Sequence, residues 1–130
     1  MAKPDFDSIK HLNPYNVEYW EARELMPLLG YGNKWQNFVD VIKKAMISCE
    51  TTGNIVTDHF TGGSKMVEIG SRAKRGVQDY YLSRLACYLI AMNGDSRKPE
   101  IAAAQNYFAV TTRAHEMHQL RQERQARIQI

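Results

Sequence analysis

The stretch Gly70–Arg84, GSRAKRGVQDYYLSR, decides how this chain is read, because it supports either of two structures. As a helix from about Ser71 it would run on into LACYL. As a strand pair, KMVEIGS (65–71) and GVQDYYLS (76–83) flank RAKR, giving a β-hairpin with a basic tip. The adjacent Tyr80 and Tyr81 favour the strand, since aromatic side chains fit a half-buried pleated surface. The connection lacks the Asn-Gly pair that marks the tightest hairpins. Ser83 then serves as N-cap for RLACYLIAMNG, where Leu85, Ala86, Leu89 and Met92 trace a buried stripe and Gly94 closes the helix.

Downstream, DSRK forms a short loop. Pro99 opens a long last helix at the position where its missing N–H costs nothing, with Glu100 beside it to suit the dipole. Tyr107, Val110, Ala114, Met117 and Leu120 form its apolar stripe, which fails where Arg124 and Arg127 intervene. The end, RQERQARIQI, reads as a solvated tail or as a piece that docks on something else. Upstream, KWQNFVDVIKKAMISCETTGN (34–54) is the cleanest helix. Trp35, Phe38, Val39, Ile42, Met46 and Cys49 share one face, and Gly53-Asn54 ends it. EARELMPLLGYGN gives a shorter helix with Pro27 inside it, and VEYW (17–20) alternates like a strand. PDFDSIKHLN (4–13) suits a short helical turn. IVTDHFTGG (55–63) leads into a turn at its glycine pair.

A chain of 130 residues with 44% hydrophobic and 24% charged residues is ordinary for one soluble domain with its own core. The first ten residues carry acids and a proline where a signal peptide needs an apolar run. The longest apolar run, LACYLIAM, has eight residues, against roughly 20 for a bilayer span. Cys49 and Cys87 stand far apart without a CxxC pattern, as expected for two reduced, buried cysteines of a cytoplasmic protein. The net charge of +3 is uneven. Residues 1–64 hold six Lys+Arg against eight Asp+Glu, or −2, and residues 65–130 hold eleven against six, or +5. A polyanionic partner is therefore to be sought in the second half.

Enzyme signatures are absent: there is no GxSxG, P-loop or GxGxxG, and neither cofactor nor metal is expected. His115 and His118 in HEMH lie at i, i+3 beside Glu116, whereas a zinc helix places its histidines at i, i+4. They read as exposed helix histidines. Asp58 beside His59 is a pair that orients an imidazole, without an identifiable nucleophile. Cys87 sits in an apolar stripe, where a thiol stays protonated.

The basic hairpin is the better candidate. Arg72, Lys74 and Arg75 would crowd one turn, and mutual repulsion makes that arrangement useful mainly when an anion relieves it. Such a tip would grip phosphates. Arg84, in the first turn of a helix, opposes the dipole by about 0.3–1 kcal/mol. A phosphate touching both the helix N-terminus and Arg84 would reverse that sign. The plainer reading is a wet loop with Arg84 paired to Asp79. Arg97 and Lys98, at the next helix start, extend the same logic. If 76–82 is a strand, one of Tyr80 and Tyr81 enters the core, and the other covers the sheet or stacks on a base.

At YYLSRLACYLIAMNGDSRKPEIAAAQNYFAVTTR the chain resembles the bacterial DNA-damage-inducible protein D family, whose LSR-ACYLI-NGD-KP-IA-AQ-YFA-TR pattern matches residues 82–113 nearly throughout. EARELMPLLGYGNKWQNF, CETTG, DHF and MVEIGSRAKR also fit, so the likeness runs from about Ile9 to Arg113. More distantly, VEYWEARELMPLLGY is similar to the opening of the BRO-type N-terminal domain of phage antirepressors. The resemblance implies an α+β domain: mostly helical, with a small antiparallel β-hairpin and a long C-terminal helix. Residues 1–113 would form that domain and 114–130 a helical extension or tail. It implies a member of the SOS regulon, or a phage-borne relative: a regulatory protein that binds single- or double-stranded DNA and modulates RecA filaments. With enzyme signatures absent, no catalytic activity is expected. The alternative is an antirepressor-type module that contacts a repressor protein, with a homodimer through the C-terminal helix.

Overall fold

The computed structural model describes residues 6–128, with the backbone alone at 127 and 128. The strand reading of Gly70–Arg84 holds. Strands β1 (His11–Leu12), β2 (Glu18–Glu21), β3 (Phe60–Gly70) and β4 (Ala73–Leu82) form one antiparallel sheet in the order β1-β2-β4-β3. Helices α1 (Ala22–Leu28), α2 (Trp35–Thr51), α3 (Val56–His59), α4 (Arg84–Met92) and α5 (Pro99–Ile128) complete an α+β fold. The helical turn expected over 4–13 begins outside the described residues; 6–9 form turns and 11–12 join the sheet.

Register fixes which side of the sheet is wet. Trp20 and Phe60 both pair with Leu82, and all three are buried in the core, where Trp20 meets Phe108 of α5. Alternation then sends Tyr19, Glu21, Tyr81 and Thr61 to the opposite face. The glycine pair expected to turn the chain lies inside β3, with Gly62 opposite Tyr80 and Gly63 opposite Asp79. Its role is space. The Tyr81 ring lies over Gly63, where a Cβ would come within 2.6 Å of Tyr81 Cε2. The hairpin is also longer and tighter than a four-residue RAKR loop. Its turn is Ser71-Arg72, both left-handed at φ 48° and 65°, so Lys74 and Arg75 belong to β4.

Ser83 caps α4 as expected, its Oγ accepting from Ala86 N at 3.1 Å. The buried stripes of the two last helices differ from expectation. On α4 it is Ala86, Cys87, Ile90 and Ala91, with Met92 half exposed; small residues there let α2 and α5 approach closely. On α5 it is Ile101, Ala104, Phe108 and Thr112, while Val110 is 61% exposed and Leu120 53%. The expected phase was anchored on Met117 and Leu120, beyond the reach of the core. Residues 113–126 are all exposed but remain helical to Ile128, not frayed. Phe108 packs edge-on against Trp20, with centroids 5.6 Å apart, and against Phe6 at 5.2 Å. No helix among the described residues is long and apolar enough to cross a membrane.

The corrected stripe has a direct check. Phe108→Ala should lower unfolding free energy by about 3–5 kcal/mol, and Val110→Ala should stay within about 0.5 kcal/mol of wild type, both read from urea denaturation. Equal losses would restore the Tyr107–Val110 phase.

Candidate nucleic-acid interface

The six cations singled out in the sequence fall into two groups. Arg72, Lys74 and Arg75 are exposed, and among the described residues no hydrogen bond or ion pair engages their side chains. They do not crowd one turn. Arg72 occupies the tip, while Lys74 and Arg75, opposite Glu68 and Val67, point to opposite faces of the ribbon. The mutual repulsion expected of them is therefore relaxed by alternation. Residues 68–76 are all exposed, so the ribbon projects from the body.

The other three are engaged. Arg84 does not pair with Asp79. Its Nε and Nη2 donate to Glu18 Oε2 and Oε1 at 2.6 and 2.9 Å, and its guanidinium lies 5.1 Å over the Trp20 ring. Only 14% of its side chain is exposed. Burial would lower its pKa, but Glu18 and Tyr107 together outweigh that and raise it. Arg97 folds back on Asp95, with Nε and Nη2 at 3.0 Å from the two carboxylate oxygens. Those hydrogen bonds hold the Asp95 carboxyl below its ordinary value. Lys98 sits 5.2 Å over the Tyr31 ring.

Asp79 has a different task. It is buried on β4, and its Oδ1 accepts from the backbone N–H of Arg23 at 3.0 Å and of Tyr80 at 2.8 Å. It caps α1, whose own N-cap residue Glu21 makes no side-chain cap. Arg23 donates to Gln78 O at 2.6 Å and lies 4.0 Å over Trp35.

The sequence places one of Tyr80 and Tyr81 on the outer face of the sheet, and it is Tyr81, with Tyr80 packed against the core; what sequence reasoning missed is the cleft beside it. Tyr19 and Tyr81 meet edge to face there with centroids 5.5 Å apart, and His11 stacks on Tyr19 at 5.2 Å. A cleft of about 440 Å³ opens between this floor, the β1–β2 turn and α3, bordered by Leu12, Val17, Asp58 and His59. A second cleft of about 580 Å³ shares Leu12, Val17, Glu18, His59 and Ser83 with it and continues to His115 and Glu116 of α5. These residues come from four separated segments, so no local motif announces the cleft.

His59 Nδ1 shares a hydrogen bond with Ser83 Oγ at 2.7 Å. That hydroxyl already accepts from Ala86 N at the cap, and no carboxylate among the described residues hydrogen-bonds to the imidazole. Asp58 beside it therefore does not complete a triad. His115, Glu116 and His118 do not form a ligand group. Among the described residues that arrangement belongs to His11, Glu21 and Glu24, with ligand atoms within 4.8 Å of one another. A His-carboxylate set of this kind suits a divalent cation. Here Lys65 Nζ, 3.3 Å from Glu21 Oε2, already supplies positive charge. Burial would raise the Glu24 pKa, but its hydrogen bonding with His11 and Glu21 and the charges of His11 and Lys65 bring it below the usual value. Cys87 is fully buried, and burial drives its thiol well above the ordinary range.

Comparison with known proteins adds three findings. Residues 8–109 match the model of the BRO family, N-terminal domain. The chain is 47% identical over 112 residues to DNA damage-inducible protein D of Escherichia coli (strain K12). That alignment covers 86% of this chain and 40% of the relative, so the chain spans less than half of that protein's length. No solved structure matches significantly.

The engaged role of Arg84 is testable. Glu18→Ala strands a largely buried guanidinium and should cost about 3 kcal/mol. Arg84→Met with Glu18→Ala, which removes both charges, should recover most of that loss in the same denaturation experiment. A single Glu18→Ala loss below about 0.5 kcal/mol would mean that water already satisfies Arg84.

Proposed function

The chain belongs to the BRO family through its N-terminal domain, and from that premise we propose that it is a nucleic-acid-binding regulatory domain acting in a DNA-damage response. One observation carries the binding reading. The projecting ribbon presents Arg72, Lys74 and Arg75 without partners among the described residues, while Arg84, Arg97 and Lys98 are held by Glu18, Asp95 and Tyr31. Unpaired cations on a protruding element neutralise phosphates at no cost in internal contacts, and the gain comes largely from counterion release. The turn itself favours this reading. A two-residue hairpin turn of this shape is ordinarily Asn-Gly. Placing Ser71 and Arg72 in the left-handed region costs about 1–2 kcal/mol per residue, which a purely structural turn has no reason to bear.

The damage-response setting rests on the name of the relative, DNA damage-inducible protein D. Within it we place action on RecA filaments, in the cytoplasm, as the finer role. A second reading is favoured by a separate observation: α5 runs exposed from 113 to 126, with Met117 36% and Leu120 53% exposed. That surface would dock on a repressor, a filament subunit or a second copy of the chain. Such binding would track Met117 and Leu120 and would change little with salt.

Fluorescence anisotropy with labelled single- and double-stranded oligonucleotides at two salt concentrations tests the first reading. Binding should weaken with salt, and each of Arg72→Ala, Lys74→Ala and Arg75→Ala should reduce the slope of log K against log salt by about 1. Arg97→Ala should leave the slope unchanged. Absence of binding at low salt overturns this reading and leaves α5 as the working surface.

A further inference from the structure

The wet face of the sheet continues onto the ribbon. Thr61 lies opposite Tyr81, Lys65 opposite Val77 and Val67 opposite Arg75, so alternation puts Tyr19, Tyr81, Lys65, Val77 and Arg75 on one side. Asp79 shares that side but is buried under the start of α1, so the open path from tip to root runs along β3 past Val67, Lys65 and Thr61. Tyr81 lies six positions from Arg75, roughly 20 Å along the strand. Along that line the chemistry changes. Cations stand at the outer end, Lys65 stands midway, and an aromatic-floored cleft lies at the inner end.

The cleft has the character of a base site rather than a phosphate site. The Tyr19 and Tyr81 rings, each half-buried, form its floor, and the apolar side chains of Leu12 and Val17, 59% and 57% exposed, form one rim. The lining also includes His59 and Asp58, whose exposed carboxylate has no partner among the described residues. Its volume of about 440 Å³ exceeds what one nucleobase needs and is too small for a duplex. The carboxylate repels phosphate but accepts from the N–H edge of a base. A paired base cannot offer that edge or a free face.

Resting on the phosphate reading of the ribbon, we propose that the domain prefers single-stranded nucleic acid. The strand's backbone leads inward from Arg75, past Lys65 in its ion pair with Glu21, and one unpaired base is seated in the Tyr19–Tyr81 cleft with its N–H edge toward Asp58. Base–aromatic stacking is largely independent of sequence, because every base presents a π-face. Asp58 adds a preference for bases with N–H groups on the exposed edge.

The test uses the whole chain and three probes of equal length: a single strand, the same strand made abasic throughout, and its duplex. Wild type should bind the intact strand about fivefold to a hundredfold more tightly than the abasic one at fixed salt, and more tightly than the duplex. Tyr81→Leu should abolish the intact-over-abasic advantage and leave abasic binding unchanged, whereas Tyr81→Phe should keep it. Because Tyr81 also covers Gly63, Val17→Trp provides an independent block, closing the cleft from an exposed rim residue. Equal wild-type affinity for intact and abasic strands overturns the base site while the ribbon reading stands. Tighter binding to the duplex also overturns it. No salt-sensitive binding to any of the three removes the ribbon reading and the base site together. In a parallel NMR titration, a nucleoside should perturb the His59 ring signals. Perturbation by a short arginine peptide and not by the nucleoside reassigns the cleft to a basic side chain of a protein partner.

Discussion

The fold turns on the buried carboxylate of Asp79. It sits on the wet side of β4 by register, yet it is sealed from solvent because α1 begins directly against it. Its Oδ1 accepts from two backbone N–H groups, one on its own strand and one at the start of α1. A helix of seven residues with Pro27 inside has little intrinsic stability, and its own N-cap residue supplies no acceptor. The strand therefore supplies the cap. The same contact places Arg23 so that its guanidinium reaches Gln78 O and covers Trp35 at the start of α2. One acid thus connects the sheet to the first two helices and sets the edge beyond which β3 and β4 are free to project.

That dependence explains which parts of the fold the sequence made legible. α2 was readable because Phe38, Val39, Ile42 and Cys49 recur at helical spacing and all reach the core. Ser83 was readable because a cap is a local event. The α5 stripe was misread because two apolar phases coexist there. Ile101, Ala104 and Phe108 enter the core, while Val110 and Met117 lie on another side, and only the packing of the core chooses between the phases. Gly62-Gly63 was misread for a similar reason. In isolation a glycine pair signals a turn, and the ring that requires Gly63 to lack a side chain comes from a residue on the neighbouring strand.

The same division governs the site. The tip cations could be named from a run of charge, because exposure needs no partner. Arg84 is held by Glu18, 66 positions away, a pairing that no local signal marks. Arg97, by contrast, is taken by Asp95 only two positions before it, a contact the sequence displays but does not rank against an external phosphate. The cleft was the least legible feature. Leu12, Val17, Asp58 and Tyr81 share no spacing, and their meeting follows from a four-stranded order that no single segment encodes.

Stability and binding are consequently carried by different parts of the molecule. The core is closed by Trp20, Leu82, Phe60 and Phe108, and the Arg84–Glu18 pair is built into its margin. The ribbon from 68 to 76 adds no buried side chain to that core. A two-stranded ribbon is marginal by itself in water, so its form depends on the pairing that starts at Phe60 and Leu82 and passes Asp79. Charge can then vary at the tip with little effect on folding, whereas the aromatic floor at the root cannot vary so freely. Tyr81 packs on Tyr19 and over Gly63 while also lining the cleft. A surface that combines replaceable cations with a structurally fixed aromatic floor can change its overall affinity without losing the place where a flat ligand would sit.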